Sequence, residues 1–321
     1  MAISDSKLNK KRLGDWVVNP YIGCEHGCKH CYCPAMPGVK FFNNGHSQQE
    51  WGRYLIPKEG FIESLKHDLR KHPRPGSTAG QGYILVSFLT DCYTPSEAKL
   101  LLTRQSLELL LAAGCKVRIQ TRSALVERDF DLLVAHKDQV LLGASLPYLN
   151  DKLARVLEPE ASAPTRRLEM LRRAKRAGLS VYVAIAPFMP FHGKSELNEV
   201  VNAVADLNPV EVFDEVLNPR SGNLKMMNDA LEEGGRTERV FTDYIERWPR
   251  WTYDHLREAK AACDAAGIGE RFIAWPDPRA AKSKTLNAAE QAWLTAWLTS
   301  EEDLVVKAES SMASAQEIDH C

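Results

Sequence analysis

The chain has 321 residues, 44% of them hydrophobic, enough to bury a sizeable core in one large α/β domain or two smaller ones. Its formal net charge is -1, so the overall field gives no reason to expect a polyanionic partner, and any nucleic-acid contact must be a local patch. No uncharged apolar run approaches the ~20 residues of a membrane span, and the polar start MAISDSKLNKKR lacks the apolar core of a signal peptide; we expect a cytoplasmic protein with no membrane partner.

A polar arm (1–14) leads into a first predicted strand, Trp16 to Ile22, and then directly into GCEHGCKHCYC at 23 to 33. Further apolar runs follow at Tyr83 to Leu89, Val117 to Gln120, Val140 to Leu146, Val181 to Pro187 and Val210 to Val216. Helical patterns at Thr103 to Ala113, Leu125 to Ala135, Thr165 to Ala177 and Lys194 to Leu207 lie between them. Thr103 is placed to be an N-cap, and Gly114 and Gly178 fall where left-handed C-terminal residues belong. Near-continuous apolar strands, each followed by a helix, indicate a parallel sheet covered by helices. Six such units are too few to close an eight-fold barrel, so a partial barrel over residues 15–220 is expected. Residues 221–300 read as an α-rich extension that shapes the substrate pocket, with a Gly-rich loop (Glu232 to Arg236) and an aromatic helix start, ERWPRWTYDHL. The acidic tail 301–321 has little to bury and is expected to be flexible.

Cys24, Cys28 and Cys31 have the spacing C-x3-C-x2-C and follow a strand that should end at the carboxyl face, where parallel α/β folds place their sites. Three thiolates from one loop can hold three irons of a [4Fe-4S] cube and leave the fourth iron open to a small molecule. A zinc site built from Cys28, Cys31 and Cys33, His26 or His30 is the competing reading, although no second C-x2-C or H-x3-H pair is present to close it. A thiol-redox pair at Cys28 and Cys31 lacks a thioredoxin-like context. Inert buried cysteines sit poorly with Glu25, His26, Lys29 and His30 between them.

The stretch NPYIGCEHGCKHCY resembles the cluster-binding motif of radical S-adenosylmethionine (radical SAM) enzymes, and the resemblance extends from about residue 15 to about residue 220. More narrowly, TDCYTPSE, TRS, ASLPYLNDKLARVLEP and IAPFMPFHG after strands two to five resemble the spore photoproduct lyase branch, also called DNA repair photolyase-like proteins. The resemblance implies a partial (β/α)6 TIM-like barrel with a C-terminal α-rich extension. It also implies a [4Fe-4S] cluster on Cys24, Cys28 and Cys31, S-adenosylmethionine (SAM) on the open iron, and reductive cleavage to a 5'-deoxyadenosyl radical that abstracts hydrogen from substrate. An external electron donor of the flavodoxin or ferredoxin type is implied as a partner.

By the same resemblance Tyr32, Thr90, Asp91, Arg122, Ser145 and Ala186 are the cofactor-binding candidates. Asp91 suits an ammonium or a ribose hydroxyl, Arg122 a carboxylate, Ser145 either group, and Ala186 offers backbone to adenine. The bland readings are a turn at Asp91, with Thr94, Pro95 and Glu97 spaced as a capping box, and a surface charge at Arg122. The branch uses a strand-two cysteine as hydrogen-atom donor; here FLTD puts Phe88 at that place, and Cys92, four residues on, becomes the candidate donor. Cys33 is left over as packing, while His46 and Phe41–Phe42 are positioned to cover the cluster. The basic helix Arg166 to Arg176 reads as a solvated outer face. Asn218 and Arg220 at the end of strand six are the substrate-pocket candidates. A nucleic-acid base or nucleotide, DNA included, is the expected substrate, with a peptide or small metabolite as the alternative and a zinc-organised, non-catalytic nucleic-acid-binding or adaptor protein as the rival from another class.

Overall fold

The computed structural model describes residues 2–5, 13–36, 39, 45–46, 50–71, 82–220 and 222–298; the pair Phe41–Phe42 and the acidic tail lie outside them. Strands β2 (Trp16–Val18), β5 (Tyr83–Val86), β6 (Lys116–Thr121), β7 (Val140–Ser145), β8 (Ser180–Phe188) and β9 (Glu211–Val216) lie side by side in chain order, all parallel. Such a sequential order, with no reversal, winds the helices onto one face and curls the other face into a partial barrel. Two further strands extend it. β1 (Ile3–Asp5) pairs antiparallel with β2, and β10 (Phe272–Ala274), from the segment read as an extension, joins β9 in parallel. No helix among the described residues is long and apolar enough to cross a membrane.

The first expected strand is split. After β2 the chain leaves the sheet at Asn19 and Pro20, then runs as β3 (Tyr21–Cys24) in a separate two-stranded ribbon with β4 (Tyr54–Pro57). Pro20 has no N–H to give a ladder, and the Asn19 side chain accepts from the Phe88 and Leu89 backbone at 2.9 and 3.2 Å, fixing the departure point.

Alternation along the strands separates two cores. Ile84, Val117, Ile119, Leu142, Val181, Val183 and Val212 face Leu107, Leu110, Leu171, Val200 and Leu256 of the covering helices. The other face packs Val17, Leu85, Leu141, Tyr182, Ala184, Phe213 and Trp275 together inside the barrel. Gly143 is obligatory there: a Cβ would stand 2.2 Å from the Tyr182 ring, its neighbour in the β7–β8 register. The interior positions further along β7 and β8 are also small, Ser145, Ala184 and Ala186, and these leave the carboxyl end open.

Local expectations divide. Gly114 and Gly178 adopt the left-handed conformation at φ 77° and 89°. Thr103 is not the N-cap: the helix spans Leu102–Ala112 after a left-handed Leu101, and the Thr103 hydroxyl donates to the Cys92 carbonyl at 2.7 Å. Nor does Glu97 close a capping box. It is fully buried and accepts from the Thr103 N–H, the Tyr21 hydroxyl and Arg128. The helix Pro164–Arg176 is not purely solvated on its basic face, because Arg167 is fully buried and points to the carboxyl end of the sheet.

Candidate active site at the cysteine loop

The polar residues between the cysteines are the loop's anchors. Glu25 accepts from the Ser96 N–H at 2.9 Å and the Ser96 hydroxyl at 2.6 Å; His26 lies 3.2 Å from the Glu160 carbonyl through Nδ1 and 3.1 Å from Asp91 through Nε2. The Lys29 N–H donates to the Leu157 carbonyl at 2.8 Å, and Asn223 donates to the His30 carbonyl at 3.1 Å. The far end of the β3–β4 ribbon folds back on the loop so closely that a Cβ on Gly52 would lie 2.6 Å from Gly27. The close approach and a φ of 96° at Gly52 require glycine at that crossing.

Cys24, Cys28, Cys31 and Cys33 all line one cavity, and none is in a disulfide. The cavity measures about 200 Å³, more than ten times the ~15 Å³ that one water needs, so it has room for a small molecule. Burial, and next the Asp91 carboxylate, push the Cys24 thiol up to about 12; burial pushes Cys28 up as well, against the pull of Arg122. Cys31 goes the other way: its hydrogen bond with Cys33 brings that thiol down to about 7. Among the described residues no three His, Cys, Asp or Glu side chains converge as a single ion requires.

Around the thiols, Tyr32, Thr90, Asp91, Arg122, Ser145, Ala186 and Asn218 also line the cavity. Their hydrogen bonds differ from what the sequence reading assumed. Asp91 accepts from the Tyr93 and Arg122 N–H groups (2.9 and 2.6 Å) and the Thr121 hydroxyl (2.7 Å), with His26 at its fourth position. Burial alone would raise this carboxyl; His26 and the backbone donors hold it below the ordinary range. Its lone pairs are taken, so Asp91 knots the cysteine loop to β6. The Ala186 carbonyl is likewise in use. The ladder to β9 slips between Ile185 and Phe188, and Arg122 Nη2 donates to Ala186 at 2.9 Å.

Two residues that carried no sequence signal organise the rest. Glu158, buried just past the helix Asp151–Leu157, accepts from Arg122 at 2.7 Å and from Arg167 at 2.5 Å; Arg167 also donates to the Ser145 carbonyl at 2.7 Å. Burial would raise Glu158, but Arg167 and then Arg122 bring it down to about 2. This clamp ties the ends of β6, β7 and β8 together. His30, 3.9 Å from Glu158, is pushed down to about 3 by burial and then by Arg122, which leaves a neutral ring.

Two expectations fail. Cys92 is absent from the cavity wall: its side chain is fully buried on the helix side of the sheet, and the thiol donates to the Val86 carbonyl at 3.3 Å. The chain turns beyond β5, and this places the Cys92 side chain away from the chamber. Arg220 is not on the wall either; it pairs with Asp277 at 2.6 Å. Cavity residues that the sequence did not nominate are Trp51, Ser87, Gln120, Glu215 and Trp275. His46, the remaining cover residue, stacks on Tyr54 at 4.2 Å.

Free thiols and the Arg122 guanidinium meet on one cavity at the open end of a partial barrel of sequential parallel strands. Residues 18–204 match the family model described as the radical SAM superfamily, and the chain belongs to that superfamily of enzymes. It is 33% identical over 78% of its length to an uncharacterized protein of Acidianus two-tailed virus, ORF301, covering 87% of that protein. It is 30% identical over 62% of its length to an uncharacterized protein of Methanocaldococcus jannaschii, MJ0683, covering 68% of it. Among solved structures it is similar to a spore photoproduct lyase variant with bound AdoMet and dinucleoside spore photoproduct, at a TM-score of 0.60 and 13% identity, covering 85% of this chain and 78% of that one. The same fold is shared with Streptococcus suis SuiB bound to S-adenosylmethionine, at a TM-score of 0.53 and 12% identity over 85% of this chain and 52% of that one.

Proposed function

We propose that the chain cleaves SAM reductively at a [4Fe-4S] cluster on Cys24, Cys28 and Cys31 and directs the resulting radical at a nucleic-acid base or nucleotide. The observation that carries this reading is the placement of three free C-x3-C-x2-C thiols on one cavity with the Arg122 guanidinium. A bound cluster with one open iron supplies the electron that breaks a carbon–sulfur bond of SAM.

The protein's own part is positional. Glu158 and the Ala186 carbonyl hold Arg122 in a fixed orientation, aimed for a methionine carboxylate. Asp91 and His26 hold the cysteine loop against β6. Leu13, Leu85, Phe88 and Trp275 give the chamber apolar walls that keep water from a reactive intermediate. Cys33, on the wall beside Cys31, is assigned no ligand role, since a fourth thiol would close the open iron. The nucleic-acid part of the reading draws on the spore photoproduct lyase neighbours, whose bound dinucleoside occupies the same fold. Electrons are assigned to an external flavodoxin- or ferredoxin-type donor.

Anaerobic reconstitution with iron and sulfide tests the chemistry. A brown protein that releases 5'-deoxyadenosine from SAM under a strong reductant is the expected result. A colourless protein holding one zinc per chain overturns it. Substrates are then separated by which class, oligonucleotide, peptide or metabolite, raises the rate of that release.

A further inference from the structure

Among the described residues, two that line the chamber have a buried amide oxygen without a donor. Gln120 lies two residues below Arg122 on the inward side of β6. Its Nε2 donates to the Ser145 hydroxyl at 2.9 Å, and its buried Oε1 has no donor among the described residues; Gln120 itself lines the cavity. Asn218, just past β9 and 9% exposed, repeats the arrangement: its Nδ2 donates to Glu215 at 2.8 Å, and Oδ1 is left without a partner. At Asn218 the carboxylate partner commits the nitrogen, so the oxygen is the free end. Asn218 is also held from behind. The fully buried Asn223 donates both to the Asn218 carbonyl at 2.9 Å and to the His30 carbonyl of the cysteine loop at 3.1 Å.

A buried acceptor without a donor is costly to keep, and its persistence at two points of one cavity calls for a ligand that completes it. Glu215 lines the cavity between them in sequence and adds a carboxylate, so the lower chamber accepts hydrogen bonds and repels anions. Its remaining surfaces are flat or small: Trp275, tilted against Phe213 at 4.6 Å, with Phe88, Ala184 and Ala186. Flat walls select a planar group, and the acceptor oxygens select a rim of N–H donors.

We propose that Gln120 and Asn218 form the edge that reads the substrate, each accepting an N–H from a planar ring such as a nucleobase at its Watson–Crick side. The proposal deepens the nucleobase reading above and rests on it. This edge offers no cation to a phosphate or carboxylate, in contrast to the Arg122 side of the cavity.

The test is calorimetric binding of the four homodinucleotides of DNA to the anaerobically reconstituted protein with SAM, each beside a counterpart with every Watson–Crick N–H replaced by N-methyl, which takes one methyl on thymine, two on adenine or cytosine and three on guanine. Methylation keeps the ring flat and deletes the donor. At least one parent dinucleotide should bind, and its methylated counterpart should bind at least about tenfold more weakly. Gln120→Met and Asn218→Leu should each shrink that ratio, and together bring it near one. Equal binding of both members of every pair to the parent protein overturns the acceptor edge while the nucleobase reading stands. If no dinucleotide binds although SAM does, the nucleobase reading itself has failed. Weaker SAM binding in the two variants, with the methylation ratio intact, also overturns the assignment, since the amides would then serve the cofactor.

Discussion

Arg118 on β6 and Arg122, one residue past its end, stand four residues apart, point into the same barrel, and mark its two ends. Arg118 is fully buried, with its guanidinium 4.2 Å from the Tyr182 ring and 5.0 Å from Phe213, paired to Glu211. Around it the inward residues are large, and the barrel is plugged. Arg122 meets Ser145, Ala184 and Ala186 instead, holds Glu158 and a backbone carbonyl, and borders a cavity. The same side chain along one stretch of chain serves packing at one end and the site at the other. What differs is the volume of the neighbours across the barrel.

Variants can break that contrast, starting with the open end. Cys24→Ala, Cys28→Ala and Cys31→Ala should each abolish both iron retention and 5'-deoxyadenosine release, whereas Cys33→Ala should retain most of both; iron content and product chromatography measure this. At the closed end Gly143→Ala drives a methyl group into Tyr182 and should cost about 3 kcal/mol of stability in urea unfolding. Tyr182→Leu in the same chain should restore part of it, a coupling that a double-mutant cycle reads directly.

Arg118→Met strips Glu211 of its guanidinium partner and should lose on the order of 3 kcal/mol, with SAM cleavage per folded molecule unchanged. Glu158→Gln distinguishes the clamp. The Glu158 carboxyl is held at about 2, below its ordinary 4.5, so its contribution to stability is fully present above pH 4.5 and fades as pH falls toward 2. Unfolding of the parent and the variant should therefore differ at pH 7 and converge through that window. The smallest effect is expected from Cys92→Ala, about 1 kcal/mol of core packing with no change in product release per cluster. An effect on turnover there would return Cys92 to the chemistry.

Much of the site was legible because its signals are local. Three cysteines at fixed spacing in one polar loop, and glycines after two helices, act within a few residues of themselves. The clamp was not legible. Glu158 and Arg167 sit on different turns of chain, and nothing in VLEPE or TRRLEM says that both side chains are buried; the basic helix reads as solvated because most of its arginines are. Cys92 failed for a related reason. A position three residues past an apolar run says nothing of which face it takes when the chain turns at the strand's end.

The sequence by itself determined the order of βα units, the cluster-type cysteine spacing and the absence of an overall charge that would favour a polyanion, since periodicity, spacing and composition are properties of neighbours along the chain. Only the tertiary structure decided that Arg118 plugs and Arg122 serves, that Glu158 aims it, and that the amide oxygens of two cavity-lining residues are left without a protein donor. Those outcomes depend on which residues meet across the barrel, and strand register and curvature set that, not distance along the chain.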